Sequence, residues 1–133
     1  MENQNILIYQ SESGNIKVDV RFEDDSIWLS QKQLSDVFGK SIKTINEHIV
    51  NIFKEEELEK NAVIRNYRIT ANDGKNYNTM HYNLDMIIAI GFRVRSNTGT
   101  KFRIWAKDKL KEYITKGFVL DDDRFKSGNQ MSY

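Results

Sequence analysis

Residues 28–53 read WLSQKQLSDVFGKSIKTINEHIVNIF, and this stretch decides the predicted fold. Ser30 is a favourable helix N-cap, and Gly39 is suited to end the short helix that follows it. After a second N-cap at Ser41, isoleucines recur at three- and four-residue steps, which predicts an amphipathic helix running to about Phe53. A short helix, a tight turn containing glycine and a longer helix in succession predict a helix-turn-helix over residues 30–53.

The second of these helices is expected to turn a polar side outward. Leu34, Val37 and Phe38 of the first helix are expected to pack beneath Ile42, Ile45 and Ile49. Lysine can contact phosphate or hydrogen-bond to guanine, and asparagine can hydrogen-bond to adenine. A carboxylate can accept a hydrogen bond from cytosine. The residues predicted to contact DNA here are Lys40, Ser41, Lys43, Thr44, Asn46, Glu47 and His48. The alternative is simple packing, because two short helices at an angle occur in many folds that bind no nucleic acid.

The segments on either side predict β-hairpins. Residues 6–9 and 16–22 are β-prone runs separated by SESGN, and residues 63–70 and 77–82 flank the turn NDGK. Gly74 tolerates the positive φ that a primed turn needs. The expected fold is α+β and winged-helix-like, with a helix-turn-helix, two β-hairpins and about four helices.

Two further helices complete the expected domain. Asn83 caps the run LDMIIAIGFRV, whose almost continuous apolar character predicts burial on most sides. A loop over residues 96–99 leads to a helix with Phe102, Ala106, Leu110 and Tyr113 inside and Gly117 as its stop. The predicted organisation is one domain over residues 1–120 and a polar, flexible tail over residues 121–133.

Charge is distributed unevenly along the chain. Residues 1–60 hold seven basic and twelve acidic side chains, whereas residues 61–120 hold eleven basic and four acidic ones. Such a basic segment favours a polyanionic partner, and cations on the last helix would contact the DNA backbone. The predicted backbone contacts are Arg93, Arg95, Lys101, Arg103 and Lys107. The alternative is that these cations only form the solvent-exposed face of a helix. Phe102 and Trp105 are expected to lie in the core and not to stack on bases.

Several classes of protein are excluded or disfavoured. The chain has no cysteine, so disulfides, thiolate catalysis and sulfur-bound metals are excluded. It has no long apolar run and no signal-like N-terminus, which predicts a cytoplasmic protein without a membrane segment. His48 and His81 lie in separate elements, and no catalytic or metal-binding motif is present. Asp121, Asp122 and Asp123 fit a solvated charge run better than a magnesium site. We therefore expect no cofactor, no metal and no enzymatic activity.

Three blocks of the sequence resemble the N-terminal part of the bacterial RhuM family of virulence proteins. They read IYQSESGNIKVDVRFEDDSIWLSQKQLSDVFGKSIKTINEHIVNIF, DGKNYNTMHYNLDMIIAIGFRVRS and GTKFRIWAKDKLKEYITKGFVLDDDR, and together they extend from about Ile8 to Arg124. Members of that family usually continue further, so the resemblance implies an N-terminal module. The family name implies virulence and mobile genetic regions but no defined activity.

A more distant similarity concerns the phage antirepressor Bro-N module. The stretch from Asn83 through Phe102, Arg103 and Trp105 to Ile114 resembles its closing part, which also ends in an F-R-x-W helix. This resemblance implies a DNA-binding or antirepressor-like role, by analogy of fold.

The combined expectation is a sequence-specific DNA-binding or antirepressor-like regulatory module. Its expected partners are double-stranded DNA and a second copy of itself, since such modules commonly bind paired half-sites as dimers. Two alternatives remain at this stage: a protein–protein interaction module of a mobile-element or virulence-associated protein, and a metal-dependent nucleic-acid hydrolase.

Overall fold

The computed structural model describes the backbone of residues 6–125 and the side chains of residues 6–115. Within that range the chain forms strands and helices, which confirms the predicted α+β class. The strands are β1 (Ile6–Gln10), β2 (Lys17–Glu23), β3 (Ser26–Ser30), β4 (Ile64–Thr70) and β5 (Asn76–Tyr82). The helices are α1 (Gln31–Phe38), α2 (Ile42–Lys54), α3 (Lys60–Val63), α4 (Leu84–Val94) and α5 (Asn97–Phe125).

The strands form one antiparallel sheet in the order β1-β2-β3-β5-β4. Both predicted hairpins are present, as β1 pairs with β2, and β4 pairs with β5 around a turn in which Gly74 has a φ of 82°. The prediction of two hairpins omits one strand. This strand, β3, pairs with β2 and with β5 and joins the two hairpins. Its apolar run Ile27–Leu29 is short; its pairing with β2 is local, whereas its pairing with β5 joins residues far apart in the chain.

One face of the sheet is buried against the helices. Alternate side chains of β2 and β3, including Val20, Phe22 and Leu29, belong to a single core with residues of α1, α2, α4 and α5. The predicted inner stripe of α5 is confirmed, because Phe102 and Ala106 are buried and Leu110 and Tyr113 pack against the same core. Phe102 and Trp105 pack on Tyr9 edge to face, so both lie among core aromatics as expected.

Three details of the helices differ from prediction. The short helix α3 follows the acidic segment and was not predicted. The expected loop over residues 96–99 is mostly helical, since α5 already begins at Asn97 after Ser96 accepts a hydrogen bond from the Gly99 amide. The helix α5 also continues through Gly117 to Phe125, because glycine weakens a helix without always ending it. The expected tail thus begins within a helix, and its residues 126–133 lie outside the described residues.

The winged-helix-like arrangement is not established by these elements. A hairpin does follow α2, but its base is hydrogen-bonded into the sheet through Leu29–Tyr82 and Ser30–His81.

Among the described residues, none of the helices has the length and apolar character that crossing a membrane requires.

Candidate nucleic-acid interface

The predicted helix-turn-helix segment forms two helices joined by a tight turn. At the start of α1, the Ser30 hydroxyl accepts from the Gln33 amide, and the Gln33 side chain accepts from the Ser30 amide at 2.9 Å. This reciprocal capping box satisfies two amides that the helix leaves free. Gly39 ends α1 with a φ of 67°, the left-handed conformation that glycine adopts without strain. Only Lys40 and Ser41 then separate it from α2.

The inner side of α2 is fixed by packing and by polar contacts. Ser41 caps the helix by accepting from the Thr44 amide at 3.1 Å, as predicted. Ile45, Ile49 and Ile52 are buried in the core that also contains Leu34, Val37 and Phe38. Ile42 was also predicted on this side, but it is 46% exposed. As the first residue of α2 it precedes the part of the helix that lies against the core.

The outer side of α2 is open, as the sequence predicted. Lys40, Ser41, Lys43, Asn46 and Glu47 are exposed, while Thr44 and His48 are half-buried at the edge of the helix. The Ser41 and Thr44 hydroxyls lie 3.0 Å apart in a hydrogen bond. Within the described part of the chain, none of Lys40, Lys43 and Glu47 has an oppositely charged group within ion-pair distance. The side chains that could contact bases therefore reach solvent from one helix.

The first turn of α5 lies beside the turn between α1 and α2. A Cβ atom on Gly39 would lie 3.4 Å from Oγ1 of Thr98, and the Cα of Gly99 lies against the ring of Phe38. The N-terminal end of α5 therefore lies beside the end of α1 and the turn that precedes α2. Backbone amides at such helix ends favour anions.

Two of the predicted backbone contacts are instead ion pairs within the domain. Arg93 is 2.8 Å from carboxylate oxygens of both Glu55 and Glu57, and Lys101 is 3.2 Å from Glu12. The hydrogen bond from Arg93 lowers the pKa of Glu55, and the hydrogen bonds to Glu55 and Glu57 raise the pKa of Arg93. The acidic partners come from remote segments, so no local pattern indicated these pairs.

The remaining predicted cations lie where α4 and α5 adjoin, since Arg95 ends α4 and Arg103 and Lys107 belong to α5. Arg95 and Lys107 are exposed, and Arg103 is half-buried, with a buried Nε that has no hydrogen-bond partner within the described residues. Lys101 and Arg103 are two residues apart on one helix and so point to roughly opposite sides. Lys101 therefore lies on a different side of α5 from Arg103, and contact of these cations with a DNA backbone stays a prediction.

A cluster of cations and aromatic rings on the other face of the sheet was not singled out in the sequence. The guanidinium of Arg21 lies 4.1 Å from the ring centroid of Tyr67, and that of Arg65 lies 4.3 Å from the ring centroid of Trp28. The Tyr67 hydroxyl donates a hydrogen bond to Glu23 at 2.7 Å. The pKa of Tyr67 is raised to about 12, mainly by burial and next by this hydrogen bond. The alternation of β2 could have revealed Arg21 and Glu23 on one face, but their partners depend on the long-range register.

His81 lies at the edge of this cluster and is buried. Its Nδ1 donates to the carbonyl oxygen of Thr79 at 3.0 Å. Burial, followed by the charge of Arg21, lowers the pKa of His81, against the opposing effect of the Thr79 hydrogen bond. The position fits the structural role that the sequence predicted for this histidine.

No group of three or more potential metal ligands is formed within the part of the chain that the structure describes. The side chains of Asp121, Asp122 and Asp123, the residues considered for magnesium, lie outside that part.

Comparison with known proteins identifies one family. The family model described as "Virulence protein RhuM family" matches residues 62–133, which is more than half of the chain. The matched range contains β4, β5, α4 and α5 and starts after α2, so it is shorter at its N-terminal end than the resemblance seen in the sequence. No curated protein and no solved structure matches the chain.

Proposed function

We propose that this chain, which belongs to the virulence protein RhuM family, contains a sequence-specific DNA-binding module that reads the major groove with α2. Regulation of transcription, in the manner of an antirepressor, is the cellular role that such a module would serve. It is a binding role without catalysis, and it is exercised in the cytoplasm, where the DNA is.

The observation that carries the proposal is the division of α2 into two sides. Ile45, Ile49 and Ile52 hold the helix on the core, while Lys43, Asn46 and Glu47 project into solvent from its N-terminal half. A recognition helix contacts base edges with its N-terminal residues. Lysine, asparagine and glutamate also match the hydrogen-bonding groups that the major groove presents.

The surroundings of this helix support contact with the DNA backbone. Lys40 is exposed in the turn, and the contact of Gly39 with Thr98 sets the first turn of α5 beside it. A helix N-terminus and a lysine together suit a phosphate group. The cations between α4 and α5 stay predicted backbone contacts, but the proposal does not depend on them.

The test is a selection from randomised duplexes at near-physiological salt, followed by affinity measurements on the enriched sequence. Lys43→Ala and Asn46→Ala should each weaken the enriched duplex by about 1 to 3 kcal/mol per lost base contact and should affect random duplex much less. Lys54→Ala is the matched control, because Lys54 is an exposed lysine at the other end of α2. Failure to enrich any sequence, or an equal effect of all three substitutions, would contradict the proposal.

A second candidate function is a protein-interaction module, and one observation favours it. Ile42 and Val50 of α2 are 46% and 51% exposed, and apolar side chains suit a protein partner. The acidic residues 55–59 could also meet a basic partner. They are less available than the apolar side chains, since Glu55 and Glu57 already bind Arg93. A stable complex with a protein that is lost in Val50→Asp, without any duplex binding, would favour this function.

A further inference from the structure

The helix α4 is buried on most sides, as predicted, but one side is exposed. Met86, Ile87 and Ile90 are in the core, but Ile88 is 37% exposed and Phe92 is 66% exposed. These two residues are four positions apart and so share one side of the helix. Ile88 and Phe92 therefore form an apolar stripe on α4 that is exposed to solvent.

The stripe borders a groove between α4 and α5. The groove has a volume of about 490 Å³, and its apolar lining comprises Leu84, Ile87, Ile88, Ala106, Leu110 and Ile114. Phe92 continues the same side of α4 toward a neighbouring cleft that also contains Arg95 and Arg103. The groove is also lined by Arg103, Lys107 and Lys111, and an exposed apolar surface with such a charged rim commonly marks an interface.

Opposite charges flank the exposed side of α4 at its two ends. Asp85 is exposed in the first turn, whereas Arg95 is exposed at the residue that ends the helix. Neither residue forms an ion pair with any other described residue. The 3.6-residue repeat places Asp85, Ile88 and Phe92 on one side of α4, and Arg95, the left-handed residue that ends the helix, lies beyond its last turn. This side is thus acidic at one end, apolar in the middle and basic at the other.

We propose that this surface, formed by α4 and the adjoining side of α5, is the interface of a homodimer. In a twofold arrangement the two copies of α4 run antiparallel, and Ile88 of each copy packs against the partner's Phe92. The same register sets Asp85 opposite the partner's Arg95, and the symmetry forms this pair twice. A surface whose two ends carry opposite charges is complementary to itself under a twofold axis, which is what an isologous dimer requires.

The size of the surface predicts a dimer of modest affinity. Helix α4 is about 16 Å long, residues 97–115 of α5 extend over about 28 Å, and a width of about 10 Å for each helix gives a face of roughly 450 Å². Stable complexes bury about 800 Å² on each partner. We therefore expect dissociation in the micromolar range rather than a permanent dimer.

The first experiment is sedimentation equilibrium of the chain from about 1 µM to about 200 µM, the range suited to an interface of this size. The wild-type chain should shift from monomer to dimer, and Phe92→Ser should weaken the dimer at least tenfold. Ile8→Ser is the matched control, because it removes an exposed apolar side chain from β1 and should leave the dimer unchanged. A wild-type chain that stays monomeric throughout this range overturns the proposal and leaves the surface to a different protein.

The second experiment tests the register by reversing charges in separate copies. Asp85→Arg alone and Arg95→Glu alone should each be monomeric, since each homodimer would hold two repulsive pairs. An equimolar mixture should form a heterodimer, because both pairs are then attractive. Circular dichroism confirms that each variant is folded. A mixture that stays monomeric, or a dimer that persists in either single variant, overturns the proposal. All these readouts are made without DNA, so their failure is distinct from failure of the proposed DNA binding.

Discussion

Gly99 lies at the closest contact between α5 and α1. A Cβ atom at this position would lie 2.7 Å from Cε1 of Phe38 and 2.9 Å from Oγ of Ser96, both of which are fixed by packing or capping. Gly99→Ala should therefore lower the free energy of unfolding by about 1 to 3 kcal/mol through overpacking. Urea denaturation followed by circular dichroism measures the change.

Gly91 provides the matched control for this substitution. A Cβ atom there would lie 3.1 Å from Cδ of Arg103, a flexible side chain that can move aside. Alanine also has the higher helix propensity, by up to about 1 kcal/mol. Gly91→Ala should thus stay within about 1 kcal/mol of the wild type, and an equal loss in both variants would contradict the assigned role of Gly99.

His81 should make stability depend on pH. Its burial lowers its pKa below the ordinary value of 6.5, so the folded state binds the proton less readily than the unfolded state. The stability contributed by neutral His81 is complete above pH 6.5 and is lost as the pH falls from there through the folded-state pKa. We expect the urea midpoint to fall between about pH 7.5 and about pH 5.5.

Replacing His81 by Gln should flatten that dependence whatever its effect on stability at neutral pH. His48→Gln removes the chain's other histidine and serves as the comparison. A fall in the midpoint that is as steep in His81→Gln as in the wild type would assign the dependence to other groups.

At the scale of elements, the capping box at Ser30 links β3 to α1. Ser30 is nearly buried and pairs with His81 in the sheet while its hydroxyl accepts from the Gln33 amide. Ser30→Ala should lower the free energy of unfolding by about 1 kcal/mol, because that amide loses its acceptor. Ser30→Thr keeps a hydroxyl and should recover most of the loss in the same urea titration. Equal losses in both variants would show that the side-chain volume matters and the cap does not.

The elements that could be predicted are those with local signals. At the start of three helices, the side chain of the N-cap residue accepts a hydrogen bond from a backbone amide, as the sequence indicated. These residues are Ser30, Ser41 and Asn83. The start of α5 was missed because it depends on a distant contact between Gly99 and Phe38. The strand β3 was missed because its apolar run is short, and its position between the two hairpins depends on long-range pairing with β5. The exposed side of α2 followed from periodicity, whereas the ion pairs of Arg93 and Lys101 did not, since their acids lie in other segments.

At the scale of the whole molecule, folding mixes charges that the sequence keeps apart. The acidic first part and the basic second part of the chain meet in the pairs Arg93–Glu55, Lys101–Glu12 and Arg65–Asp24. The excess of cations in residues 61–120 is therefore partly neutralised inside the domain. A polyanion would meet fewer free cations than the count suggests, and the position of those cations matters more than their number.

This rearrangement predicts which cations determine the salt dependence of DNA binding. Each cation that contacts a phosphate adds about 0.9 to the slope of log K against log salt concentration. Lys40→Gln should reduce the slope by up to about 0.9, because Lys40 is exposed in the turn before α2 and is assigned to phosphate, and Lys43→Gln should reduce it less, because Lys43 is assigned to a base. Arg93→Gln and Lys101→Gln should leave it nearly unchanged, because these cations are held by Glu55, Glu57 and Glu12. Titration of an enriched duplex at several salt concentrations measures all four slopes. A loss for Arg93→Gln as large as that for Lys40→Gln would mean that DNA displaces the acids, and that the DNA-binding surface extends to the side of the molecule where α4 ends.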